Sequence, residues 1–216
     1  FFFISFGLGY PALNRIDVTS LEALSDSVLY FDIIENGLGG IIHDPTSRST
    51  RILIPMMAHL LYELLPQMGS WDAATLSMLI VTASFCALMG LIIFHLGIMI
   101  SNSAFVSIIA SFLYFLNFSV SNFYLAGLVD SGFGLSFAIL SYVLLKNKWG
   151  WLPLIAFLGT LIKEVFLPLG TIFIFGWLFS QWYRTKTLNY LCILNFLLFI
   201  LISFTTTTAL KSYALN

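Results

Sequence analysis

From Thr75 to Ile100 the chain runs without one charged side chain, and four more apolar segments follow it. They lie at roughly 105–120, 131–145, 149–182 and 188–204. About twenty consecutive apolar residues cross a bilayer, so such a chain is expected to be an integral membrane protein. Composition agrees: 59% of residues are hydrophobic and 9% charged, with a mean hydropathy of +0.97. A soluble domain carries about a quarter charged residues. The net charge is −1 and no basic run is present, so nucleic acid is not an expected partner. Cys86 and Cys192 fall inside apolar runs without CxxC or His-rich spacing, which predicts lipid-facing or core residues.

The opening "FFFISFGLGY" is too short to span a bilayer and is expected to be the outer end of a first span that begins before Phe1. The stretch from Trp149 to Trp182 poses the opposite problem. As one helix it would be ~50 Å long at about 1.5 Å per residue, against a ~30 Å hydrocarbon core. Lys163-Glu164 and Pro168 interrupt it, which predicts two short helices turning near that pair. The expected fold is all-α: a polytopic transmembrane helical bundle of about 6–7 spans, in one domain over 1–216. Its parts are a first-span end (1–9), an extracytoplasmic loop with amphipathic surface helices (10–72) and the bundle (73–216).

Lys and Arg set sidedness. Lys146 and Lys148 share one short loop and Arg184 and Lys186 another, so both loops are placed in the cytoplasm. Alternation then puts residues 10–72, the stretch 121–130 and the Lys163-Glu164 turn outside. All ten acidic residues, from Asp17 to Glu164, land on that outer side or its boundary. The polar chemistry is expected on one face.

The outer loop is too long for a plain connection. "TSLEALSDSVLYFDIIENG" opens with the capping-box pattern Thr19-x-x-Glu22 and closes at Gly37. Leu21, Leu24, Val28, Phe31 and Ile34 form its predicted apolar stripe. In "RILIPMMAHLLYELLP" the apolar pairs Met56-Met57, Leu60-Leu61 and Leu64-Leu65 predict a second helix, with Pro55 in its first turn or at a kink. "GLGGIIHDPTSRSTR" joins the two and is rich in hydrogen-bonding groups, His43 among them.

These segments together resemble a family: the GT-C class of polytopic glycosyltransferases, which use lipid-phosphate-linked sugars. "SDSVLYFDII" is similar to that family's acidic-then-Tyr pattern, with Asp26 and Tyr30 in the matching places. "SRSTRILIPMMAHLL" resembles its Arg-x-x-x-Pro stretch through Arg51 and Pro55. "AGLVDSGFGLSFAILSYVLLKNK" with "LGTLIKEVFLPLG" is similar to its middle region, where a Lys-Glu pair recurs. The match covers nearly the whole chain in order. Many members carry two adjacent acids after the first span; here Asp17 and Asp26 are nine apart, so both are candidates for the catalytic base.

The resemblance implies transfer of a sugar from a polyprenyl-phosphate donor to an acceptor on the extracytoplasmic side, in a bacterial inner (plasma) membrane. That chemistry needs cations for the phosphate and a carboxylate to take the acceptor's proton. Lys163, Arg48 and Arg51 are the expected phosphate ligands, with Glu164 holding Lys163 or contacting the acceptor. Tyr30, His43 and Asp130 complete the substrate-binding set, although Asp130 also reads as a helix cap in "DSG". No cofactor is expected. A divalent metal is the alternative, but His59 and Glu63 lack a convincing third ligand. His95 reads as a packing or hydrogen-bonding residue within a span, and "TTTTALK" carries no functional reading. The expected partners are the lipid-linked sugar phosphate, membrane lipids and other membrane subunits. Two further classes stay open: a non-catalytic subunit of a membrane complex, and a transporter or flippase.

Overall fold

The computed structural model describes residues 1–11, 25–41, 50–65, 72–117, 119–121, 125, 127–187 and 189–215, with backbone alone at 25–27 and 41. Among them the chain is all-helical. Nine α-helices follow in order: α1 (Phe2–Gly9), α2 (Ser25–Asn36), α3 (Leu53–Leu64), α4 (Ala73–Ser101), α5 (Ala104–Phe115), α6 (Asp130–Leu145), α7 (Leu152–Ile162), α8 (Phe166–Thr185) and α9 (Tyr190–Leu215).

Local chemistry explains several boundaries. Asp72 caps α4, its carboxylate accepting from the Thr75 N–H at 2.8 Å and the Thr75 hydroxyl at 2.7 Å. Pro55 sits in the first turn of α3, where its missing N–H costs nothing. Gly37 follows α2 at φ +61°, as the sequence predicts. His59 secures the same helix end, its Nδ1 lying 2.8 Å from the Ile34 carbonyl. That contact gives His59 a structural use. The Thr tract near the C-terminus continues α9 beyond the expected end near Phe204, because Thr205, Thr207 and Thr208 donate their hydroxyls back one turn to main-chain carbonyls.

The helices run alternately up and down. α1 lies against α4 head to tail, with the Phe1 ring near Gly90 and Gly9 near Leu79. α5 returns along α4, where Ser111 donates to the Gly90 carbonyl at 3.0 Å. α4 and α6 run the same way, their starts sharing Met78, Val81 and Val129 in one core cluster. α7 turns back along α6, α8 reverses again, and α9 packs on α7 and α8 through Phe199. Three apolar clusters result: α1 with α4 and α5, α2 and α3 over the starts of α4 and α6, and α6 to α9 around Phe166 and Phe199.

Among the described residues two helices, α4 and α9, are long and apolar enough to cross a membrane. α5, α6 and α7 are only 12, 16 and 11 residues long, or about 17–24 Å at the usual helical rise, short of a ~30 Å core. The expected break in 149–182 is present, between α7 and α8. The most apolar part of α9 is only 17% buried, and Leu197, Leu201 and Phe204 face outward. A surface of that kind marks contact with lipid or protein.

Other expectations need correction. Val28 is exposed, and the buried face of α2 is formed by Tyr30, Phe31, Ile33 and Ile34. The second loop helix is present as α3, which turns Ile54, Pro55 and Ala58 inward, packs Leu61 on the core and leaves Met57, Leu60 and Leu64 outside. The second run ends as helix at Phe115, not near Val120. His95 is exposed on α4, edge-on to Phe94, not packed within the core. Both cysteines are free and buried, which selects the core reading of the two expected and needs no correction. The expected Thr19-x-x-Glu22 capping box lies outside the described residues.

Candidate functional site

α7 ends where Lys163 takes an extended conformation, φ −159° and ψ 126°. The chain turns through Lys163-Glu164-Val165 and restarts as α8, with the Phe166 N–H donating to the Lys163 carbonyl at 2.9 Å. Pro168 falls in the first turn of α8, where proline is tolerated. The turn therefore presents two charged side chains at one end of the bundle, beside the starts of α3 and α6.

Each charge finds a partner on another element. Glu164 receives a forked pair from Arg51: Nε donates to Oε2 at 3.0 Å and Nη2 to Oε1 at 2.8 Å. The Thr50 hydroxyl donates to the same Oε2 at 3.3 Å. Arg51 also donates from Nη1 to the buried Tyr30 hydroxyl at 3.3 Å. Lys163 Nζ lies 2.6 Å from Asp130 Oδ1 on the first residue of α6, and 5.5 Å from the Phe133 ring centroid. A carboxylate in a first helical turn is favoured by the helix dipole, and the ring face attracts the ammonium.

Two ion pairs thus stand next to each other along the chain, and they differ. Arg51 and Glu164 keep 13% and 16% of their side-chain surface, whereas Lys163 and Asp130 keep 21% and 30%. Burial opposes ionisation of Glu164, but the hydrogen bonds and charge of Arg51, with its own N–H and Thr50, outweigh it and hold the carboxyl below its ordinary range. The bonds it donates to Glu164 raise Arg51 further above its already high value; burial pulls the other way, and Tyr30 adds to the rise. Both groups are charged at any physiological pH.

Close packing fixes the cluster. A Cβ on Gly132 would sit 2.7 Å from Ile54 Cδ1 and 3.1 Å from Ile162 Cγ2. A side chain at this position would have to displace the Ile54 methyl where the starts of α6 and α3 and the end of α7 meet.

Five of the sequence-predicted residues are therefore brought to one end of the bundle, Tyr30, Arg51 and Glu164 in one bonded group and Lys163 with Asp130 in a second beside it. Two expected roles change. Glu164 holds Arg51, not Lys163, and Asp130 supplies the lysine's partner instead of capping α6, whose N-terminus has no side-chain cap. Asp17, Arg48 and His43 lie outside the described residues, and Asp26 is described by its backbone in the first turn of α2. Thr50, Phe133 and Gly132 were not foreseen. The "DSGFG" stretch held the signal for two of them, a glycine and an aromatic just after a helix-opening acid. Among the described residues no group of three or more His, Cys, Asp or Glu could hold a metal. Comparison of the chain with protein-family models, curated proteins and solved structures gives no match.

Proposed function

We propose that the chain is a multi-pass protein of a bacterial inner membrane, with about 6–7 crossings, that transfers a sugar from a polyprenyl-phosphate donor on the extracytoplasmic side. The observation that carries this reading is the convergence of Arg51, Lys163, Asp130, Glu164 and Tyr30 at the bundle end opposite the basic loops. A lipid phosphate arriving sideways from the bilayer meets cations there. Lys163 is the one to engage it, since its pair is the more exposed and rests on a single carboxylate oxygen contact. Arg51 is locked by a forked bond and serves to shape the site. Asp26, in the first turn of α2 four residues before Tyr30, is the proposed base, with Asp17 as the other candidate. The short helices count as crossings on this reading because local bilayer thinning accommodates short apolar segments.

The test is transfer from a radiolabelled polyprenyl-phosphate sugar by membranes carrying the chain. Asp26→Asn should abolish transfer with the protein still folded. Lys163→Met should raise the KM for the donor more than it lowers kcat. Full activity in both variants sinks the assignment.

A second reading, a non-catalytic subunit of a membrane complex, draws on one specific fact: both site cations already hold a carboxylate. Recovery of a stable complex, with no transfer by any member that depends on Lys163, would favour it.

A further inference from the structure

The Lys163–Asp130 pair is only half made. A lysine ammonium carries three N–H donors, and one of them reaches Asp130 Oδ1 at 2.6 Å. Among the described residues the remaining donors and Asp130 Oδ2 meet no hydrogen-bond partner. The Phe133 ring, edge-on to Phe137 and Phe166, faces the ammonium and occupies none of its donors. Arg51 and Glu164 are bonded differently: the fork engages both carboxylate oxygens, and both side chains are more deeply buried.

Asp130 also opens α6, and that helix start is unfinished. It has no side-chain cap. The Gly132 and Phe133 N–H groups both lean on the Val129 carbonyl, at 3.2 and 3.3 Å, beyond the usual ~2.9–3.0 Å of an N–H···O bond. An aspartate at an N-cap accepts from the amide two or three residues on, which from Asp130 means Gly132 or Phe133. If the start of α6 slides by one residue, the carboxylate takes one of these amides in place of the Val129 carbonyl. The helix dipole favours a negative charge there. Asp130 therefore has two uses within reach, and the structure shows the first without the second.

We propose that Asp130 is an exchangeable counter-ion: it holds Lys163 as described, and when a lipid phosphate takes the ammonium it turns back to cap α6. The proposal rests on the lipid-phosphate reading of Lys163 and adds the group that gives way to the phosphate. A phosphate offers several strong acceptor oxygens to the open lysine donors, and its charge repels a carboxylate on the same cation. The cap gives the displaced carboxylate new partners, which favours the exchange.

Binding of farnesyl phosphate to the full chain in detergent tests this, with uncharged farnesol as the control. A competing pair reduces apparent affinity by the fraction of molecules in which the lysine is free. Asp130→Asn removes the competing charge and keeps a capping side chain, so it should bind farnesyl phosphate at least about fivefold more tightly than wild type. Asp130→Glu keeps the charge but is not a capping residue, so it should bind about threefold more weakly. A pair that only braces the turn predicts the opposite sign for Asp130→Asn, because Lys163 loses its support. Wild type gives a measurement that needs no variant: farnesyl phosphate, and not farnesol, should slow hydrogen exchange at the Gly132 and Phe133 amides. Binding by Asp130→Asn no tighter than by wild type overturns the proposal. Unchanged exchange, or Asp130→Glu equal to wild type, overturns the capped state. The premise fails separately: if farnesyl phosphate binds no better than farnesol, or equally well to Lys163→Met, the lipid-phosphate reading falls and this proposal with it. Binding that depends on Lys163 without tightening in Asp130→Asn removes this proposal alone.

Discussion

The two ends of the helical bundle both hold cations and use them in opposite ways. At one end Arg51 and Lys163 are half-buried and each meets a carboxylate from a distant part of the sequence. At the other, Lys146, Lys148, Arg184 and Lys186 are exposed and no acidic residue lies near them in sequence. The first arrangement buries charge and must neutralise it, because an uncompensated ion away from water is costly. The second leaves its charges in water, where mutual repulsion is screened within about 10 Å at ordinary salt. Paired charge therefore specifies how elements meet, whereas unpaired charge advertises a surface.

The sharpest way to break this contrast is to unpair the first end. Glu164→Ala strands the Arg51 guanidinium among Tyr30, Thr50 and the helix ends. Breaking a fully buried pair costs about 3–5 kcal/mol; with 13% and 16% of the two side chains still exposed, about 2–3 kcal/mol is expected. For a chain of this size that is roughly 5–10 °C in Tm, measurable by thermal unfolding in detergent. Loss of less than a degree would mean that the forked bond is incidental.

Gly132→Ala comes next. Its Cβ would press on Ile54 Cδ1 and on Ile162, and overpacking of this kind costs about 1–3 kcal/mol. The Ile54 methyl is the end of a side chain, so Ile54→Val should recover part of the loss. A double-mutant cycle with no coupling would show that the three elements do not depend on that contact.

Acid should separate the two ends as well. The Glu164 carboxyl titrates below its ordinary range in the folded protein, so its contribution is fully present above the unfolded value and disappears as pH falls through the folded one. Thermal stability should hold from about pH 8 to about pH 5 and decline below about pH 4. In Glu164→Gln that acid limb should be shallower. An identical limb in the variant would assign acid sensitivity to other carboxylates.

How much of this was legible in the sequence follows from what kind of contact each feature needs. The break in 149–182 was visible, because charge and proline inside an apolar run leave a helix few alternatives. That Arg51, Asp130, Lys163 and Glu164 would gather at one end was visible too, since ionisable groups bordering apolar segments seek one another. Their pairing was not. Lys163 and Glu164 are neighbours, yet they turn to Asp130 and Arg51, 33 and 113 residues away, and such distances depend on how helices dock. The inward face of α3 was not legible for a related reason: Leu60 and Leu64 satisfy a helical pattern as well as Ile54 and Ala58 do, and only the neighbours of α3 choose between them. The reach of α9 to Leu215 was missed because four threonines read as polar, although the hydroxyls of Thr205, Thr207 and Thr208 bond within the helix.

The smallest effect is expected at the other end, and it sharpens the comparison by its size. Lys148 is exposed, among like charges, and its backbone N–H already closes α6 whatever its side chain carries. Lys148→Gln removes one cation from a group of four, relieving slight repulsion and giving up slight attraction to the end of α6. These terms oppose each other, so stability should stay within about 0.5 kcal/mol, the range of ordinary surface substitutions. Repeating the melt at low and high salt gives the variant a second reading. If repulsion dominates, wild type should gain more than Lys148→Gln as salt rises, since four cations repel more than the three left in the variant. A destabilisation near that of Glu164→Ala would instead mean that Lys148 has a carboxylate partner, and the two ends would no longer differ in kind.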